Sequence, residues 1–347
     1  MKKVLAIVLC LAMVLATAGC GGSSTTSTAS GGDSDSKVYK ITYAGTVADT
    51  TSMMIRMNEA AEKMNELSGG RLVMTVYPNN QLGDSVSNFQ QMQENGSVQM
   101  GELSAAALSS FTNLYTPYSL PFLFDSKEQA FEYFDNSDGA KAVADQFCTD
   151  TGVRIIGWYY NDARTLTNSK HAIKTPDDMK GLKIRAMQSD VYIKMFEALG
   201  SSPISMSFAE VFTGLQQKNI DGQDNGTALT VSQKFHEVQS YYTDLHHVYD
   251  MAPILVSEQF YQSLPDDLKT ILSDCIAEAV TAERADYEVN GAAEEEEIGK
   301  YCEITHLTDD ERAAFKDACS SVYDWYRTAY TDIDLDAIMA DIAAIDK

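Results

Sequence analysis

Apolar and polar positions follow two different periods along this chain, and the switches between them mark its elements. Residues 39–45 are a short β-rich run, after which Met54, Met57, Ala61, Met64 and Leu67 recur at helical spacing until Gly69 and Gly70 supply a stop. RLVMTVY (71–77) predicts the next strand, residues 85–94 a helix ended by Gly96, and SVQMGEL (97–103) a third strand. One β-α-β-α-β lobe results. The arrangement repeats from VRIIGWYY (153–160): Thr175, Pro176 and Asp178 carry a short-helix signature, LKIRA (182–186) is a strand, and Ser189 and Asp190 open a helix that Gly200 stops. Further strand and helix follow through Lys218. Strands alternating with helices predict an α/β fold with parallel sheets, here in two lobes. A proline-free helical stretch runs from 266 to about 302, its acidic run 294–297 reading as a solvated face; a second acidic helix covers 309–328 and a short one 335–344.

The first residues fit neither lobe. Lys2 and Lys3 precede an uncharged apolar run, 4–16, too short to span a bilayer comfortably and laid out like a secretory signal. It ends in LATAGC, which resembles the lipobox of bacterial lipoproteins; that likeness implies cleavage after residue 19 and a lipid on Cys20. The polar stretch 21–36, GGSSTTSTASGGDSDS, reads as a flexible tether.

Charge narrows the partners. Fifty acids against 26 bases give a formal charge of −24, which repels phosphate backbones, so nucleic acid is not expected. Cys148, Cys275, Cys302 and Cys319 lie in a compartment that permits disulfides; free thiols and one or two bridges stay equally open. No zinc spacing, phosphate loop, dinucleotide turn or nucleophile elbow occurs. DGQDNG from Asp221 fails as a calcium loop, because Gln223 and Ser232 stand where acidic ligands are needed. Adjacent His246 and His247 splay apart on any element and suit no shared metal. No metal and no cofactor are expected. What survives is Arg164, just after a strand, and Arg185, at the end of another. In α/β lobes strand ends face the ligand cleft, and a guanidinium offers a carboxylate two parallel donors. Interlobe salt bridges would use the same two residues equally well.

The stretch LTNSKHAIKTPDDMKGLKIRAMQSDVYIKMFEALGSSPISMSFAEVFTGLQQKNIDGQDN closely resembles the solute-binding proteins of tripartite ATP-independent periplasmic (TRAP) transporters, the DctP-like family. YPNNQLGD, SLPFLFDS and LVSEQFYQSLPDDL extend the likeness over most of residues 38–310. The resemblance implies a two-lobe, Venus-flytrap binding fold with crossing strands and a long helix joining the lobes. It implies signal peptide 1–19, tether 20–37, 38–160 mainly in one lobe, 161–250 mainly in the other, and 251–347 packing on both. Arg185 matches the family arginine that pairs with a ligand carboxylate, and Arg164 a second cationic contact. Asn225 and Phe208 match pocket residues, with weaker matches at Thr46, Ser104, Gln188 and Tyr249.

The function implied is capture of a small organic acid, a dicarboxylate or a sugar acid, for delivery to small and large TRAP permease subunits. An extracytoplasmic, lipid-anchored monomer that is no enzyme is expected. Two departures bear on the ligand: Ala186-Met187-Gln188-Ser189 replaces the Val-Pro that often follows the arginine, a variant resembling a sugar-acid branch, and Gly226 replaces a common proline. Rival readings are a ligand sensor for a receptor and an enzyme using Asp221 or Asp224 as general base.

Overall fold

Eleven strands sort into two mixed sheets in a computed structural model that describes residues 37–345. In chain order they are β1 (Tyr39–Ala44), β2 (Leu72–Tyr77), β3 (Met100–Glu102), β4 (Val153–Ala163), β5 (Thr165–Asn168), β6 (Lys183–Ala186), β7 (Ser202–Ser205), β8 (Gly222–Asn225), β9 (Tyr241–Thr243), β10 (Tyr249–Ser257) and β11 (Glu303–Thr305). The first sheet has the order β2-β1-β3-β10-β4 and the second β11-β9-β5-β8-β6-β7. The signal, the tether and Cys20 lie outside the described residues.

The parallel part of each sheet is the part that alternation with helices predicts. β1 pairs in parallel with β2 and β3, and β6 with β7 and β8. Both sheets also contain antiparallel strands, which corrects the expectation of parallel sheets alone. β10 runs antiparallel to β3 and β4, and β5 antiparallel to β8 and β9. These strands carry the chain between the sheets: β4 passes into β5 with Arg164 alone between them, and β9 returns to β10 through residues 244–248. A third link is the helix Asp266–Ile298, about 50 Å long at 1.5 Å per residue. Its buried stripe of Leu268, Leu272, Cys275, Ile276, Ala279 and Val280 packs with Met53, Met57 and Met64 of the helix Ser52–Leu67, and the chain beyond it enters β11 in the second sheet.

Local signals act where the spacing placed them. Thr51 accepts from the Met54 N–H to start Ser52–Leu67, and Thr175 and Asp178 close a capping box on the short turn Pro176–Met179. Other expectations change. The third strand is shorter than SVQMGEL, and the long helix stops at Ile298, where Gly299 caps it. The expected helix 309–328 is two, Asp309–Ala318 and Ser320–Ala329, broken at Cys319 so that Phe315, Cys319, Val322 and Tyr326 all bury against the second sheet's core. All four cysteines after the tether are free thiols. Among the described residues no helix is long and apolar enough to cross a membrane, and no cluster of ligating side chains could hold a metal.

Candidate functional site

The carboxyl ends of β1, β3, β6, β7 and β8 converge on one cleft between the two sheets, the place where open α/β folds put their ligands. It holds about 850 Å³ of empty space, its open mouth included. Thr46 and Val47 follow β1, Glu102 ends β3, Arg185 lies on β6, Ser207 and Phe208 follow β7 and Asn225 ends β8; all line the cleft.

The two arginines differ in what surrounds them. Arg164 is 1% exposed and fully engaged: Nε donates to Asp224 Oδ2 at 2.6 Å, Nη1 to Asp250 Oδ2 at 2.9 Å, and Nη2 to the Asp224 carbonyl and Asn225 Oδ1. Burial works against its charge, but the two aspartates outweigh it and hold its pKa above the usual value. His247 Nε2 lies 3.1 Å from the same Asp224 oxygen, so β4, β8, β10 and the 244–248 link are tied at one polar knot. Burial opposes the Asp224 charge too, yet Arg164 and His247 keep it well below the usual carboxylate range.

Arg185 is 3% exposed and has no acid paired with it among the described residues. Its Nε donates to the Met206 carbonyl at 3.1 Å, while Nη1 is buried with no acceptor. Burial pulls its pKa down to about 10, with Asp224 only partly compensating. A buried guanidinium without a counter-charge is costly, and an anion entering the cleft relieves that cost.

The remaining expected residues have unequal positions. Thr46 lines the cleft but donates its N–H and hydroxyl to Glu102 Oε1, at 2.6 and 2.9 Å. The Ser104 hydroxyl accepts from the Ala107 N–H and reaches across to Met187 Sδ; beside it Ser109 donates to the Gln188 carbonyl, so the lobes touch at the rim with the Gln188 side chain exposed. Phe208 stands edge-on to Phe235 at 6.0 Å and presents an apolar wall. Asn225 is buried between Arg164 and Gln223. The expectation for Tyr249 is corrected: it opens β10 but lines a separate surface groove with His246 and Arg312 rather than the cleft. Cys20 lies outside the described residues.

Glu102 and Asn161 are site residues that the sequence reading missed. Glu102 is a buried carboxyl whose pKa burial raises, partly countered by Thr46. Asn161 lines the cleft and donates to Asp250. A glutamate in a short strand carries no signal of its own, and its burial depends on Thr46, 56 residues away. Of the rival bases, Asp224 is locked in ion pairs, and Asp221 lies outside the cleft beside Lys170.

Two α/β lobes facing one cleft, with a buried guanidinium that has no paired acid among the described residues, are the arrangement of a solute-binding protein. The family model described as "Bacterial extracellular solute-binding protein, family 7" (DctP) matches residues 43–329, and the chain belongs to that family. It is 32% identical over 292 residues, 82% of this chain and 84% of the relative, to the C4-dicarboxylate-binding periplasmic protein DctP of Vibrio cholerae. It superposes with a TM-score of 0.84 on the sugar acid binding protein DctPAm of Advenella mimigardefordensis in complex with galactonate, at 25% identity, covering 88% of this chain and 98% of that one. A TRAP periplasmic solute-binding protein of Shewanella oneidensis with bound succinate superposes at 0.82 with 28% identity, covering 88% and 99%.

Proposed function

We propose that this protein captures a small organic acid by pairing its carboxylate with Arg185, closes its lobes over it, and delivers it unchanged to a TRAP permease pair. The observation that carries this reading is the buried Arg185 guanidinium with no acid paired with it among the described residues. A forked, charge-assisted pair fixes orientation as well as affinity, and Asn225 and Thr46 stand in the same cleft. Arg164 supports from beneath: its charge is matched by Asp224 and Asp250, so it holds the lobe junction and places Asn225. Closure follows from differential affinity, since a ligand touching both lobes favours the state in which both are near. The lipid on Cys20 and the tether 21–36 would keep this body at the outer face of the cell membrane.

Titration calorimetry across a panel of dicarboxylates and sugar acids tests the reading. With an acid that binds, Arg185→Ala is expected to cost on the order of 2–5 kcal/mol, because it leaves a buried carboxylate unpaired. Arg185→Lys keeps the charge without the fork and loses a large part of the affinity. Near-normal affinity in both variants removes Arg185 from the role. Loss of membrane attachment in Cys20→Ala checks the anchor.

A further inference from the structure

We propose that the solute is a monocarboxylate carrying hydroxyl groups, of the sugar-acid class, and that Glu102 on the wall opposite Arg185 sets this choice by rejecting a second carboxylate. This deepens the proposed function and rests on Arg185 being the carboxylate anchor.

The cleft's charges are unevenly paired. Among the described residues its lining contains two cations, Arg164 and Arg185, and no lysine. Arg164 is already matched by Asp224 and Asp250, so it offers a ligand no surplus charge. The two aspartates equal the two arginines in number, but both sit against Arg164, so Arg185 is the guanidinium with no acid paired to it among the described residues, and its fork takes one carboxylate. At the other wall stands Glu102, on the other lobe's sheet and buried, and among the described residues no Lys or Arg pairs with it. It holds the Thr46 N–H and hydroxyl on Oε1, while Oε2 has no hydrogen-bond partner, with the Tyr43 hydroxyl its neighbour in the core.

Helix N-termini supply further positive potential, but Thr51 already caps the one that brings Met53 to the lining, and two others nearby are engaged by acids. Asp84 caps Ser85–Gln93 by accepting from the Ser87 N–H, and Asp162 accepts from the Thr227 N–H at the start of Thr227–Ser232. A dicarboxylate would therefore bring its second charge toward two acids, Glu102 and Asp84, with no unpaired Lys or Arg among the described lining residues to balance it. Hydroxyl groups suit the same wall: Ser207, Asn80 and Asn161 are neutral partners, and a carboxylate is a strong acceptor for a ligand O–H.

The test is calorimetry on the folded mature protein, near neutral pH, with D-gluconate, D-galactonate and D-glucuronate against succinate and L-malate, and butyrate as the acid without hydroxyls. We expect at least one sugar acid to bind about tenfold or more tighter than either dicarboxylate and than butyrate. In Glu102→Gln, which keeps the shape and removes the charge, that preference over dicarboxylates narrows by about tenfold while Arg185→Ala weakens both classes. A dicarboxylate or butyrate binding as tightly as the best sugar acid overturns this inference and leaves the capture role standing, and an unchanged ratio in Glu102→Gln overturns the assignment to Glu102. If none of the six acids binds, both readings fall. The wild-type ranking decides the class even if Glu102→Gln folds poorly.

Discussion

Arg164 and Arg185 look alike in the sequence, each an isolated arginine at the end of a strand, yet one is matched and the other is not. The difference lies in Asp224 and Asp250, 60 and 86 positions from Arg164, which only the sheet pairing brings within reach. Substitution separates the two. Asp224→Ala removes a partner from a buried pair and is expected to cost about 3–5 kcal/mol, read as a lower urea midpoint. Arg185→Met removes an uncompensated buried charge, so its midpoint is expected to match or exceed the wild type while acid binding disappears. A large stability loss in Arg185→Met contradicts that account. The Asp224 carboxyl is held below its unfolded pKa, so its contribution is present above about pH 4 and lost as pH falls through the lower folded value. In Asp224→Ala the acid-induced weakening below that range is expected to be shallower.

Between residue and fold lie the elements, and here the sequence was most legible where a cap or glycine punctuates the chain. Thr51, Thr175 with Asp178, and Gly200 act at the positions their spacing indicates. Two features were not legible because they depend on distant chain. Gly226 has an ordinary φ of −64°, but a Cβ there would lie 2.3 Å from the Asp162 Cβ, so Asp162 occupies the space a side chain would take. Gly226→Ala must therefore displace the carboxylate that caps Thr227–Ser232, and is expected to lower the thermal midpoint and weaken acid binding together, since Asn225 precedes that turn. A binding loss without a midpoint change would place the effect elsewhere. The acidic run 294–297 is not wholly a solvated face either. Burial raises the Glu294 carboxyl to about 7, and Asp162 adds to the shift. Because the folded pKa lies above the unfolded one, this group's stability contribution is full below about pH 4.5 and declines as pH rises to about 7. Glu294→Gln is expected to match wild-type stability at acid pH and exceed it at pH above 7, measured as thermal midpoints across that range.

The alternation of strand and helix gave the two-lobe α/β body, and the strand-end arginine gave its cleft, but the antiparallel strands that join the lobes have no local signature. Placing β10 beside β3 and β4 required knowing that the chain returns to the first sheet after residue 248. Tyr249, expected in the pocket from a weak positional match to the family, lines a different groove, because where β10 begins in space depends on that return. On the largest scale the charge of −24 becomes a kinetic property. An anionic solute approaches a body of the same sign, and Arg185, the arginine of the cleft without a paired acid among the described residues, is buried and steers little from a distance. The repulsion extends about 30 Å at 0.01 M salt and about 10 Å at 0.1 M, whereas the ion pair proposed inside the cleft would be screened far less. Raising the ionic strength is therefore expected to speed association several-fold and leave dissociation nearly unchanged, the reverse of a steered encounter. Stopped-flow tryptophan fluorescence can read both rates, because Trp158 lies on β4 with the cleft residue Asn161. An association rate that falls with salt would mean that a positive field at the mouth outweighs the charge of the whole molecule.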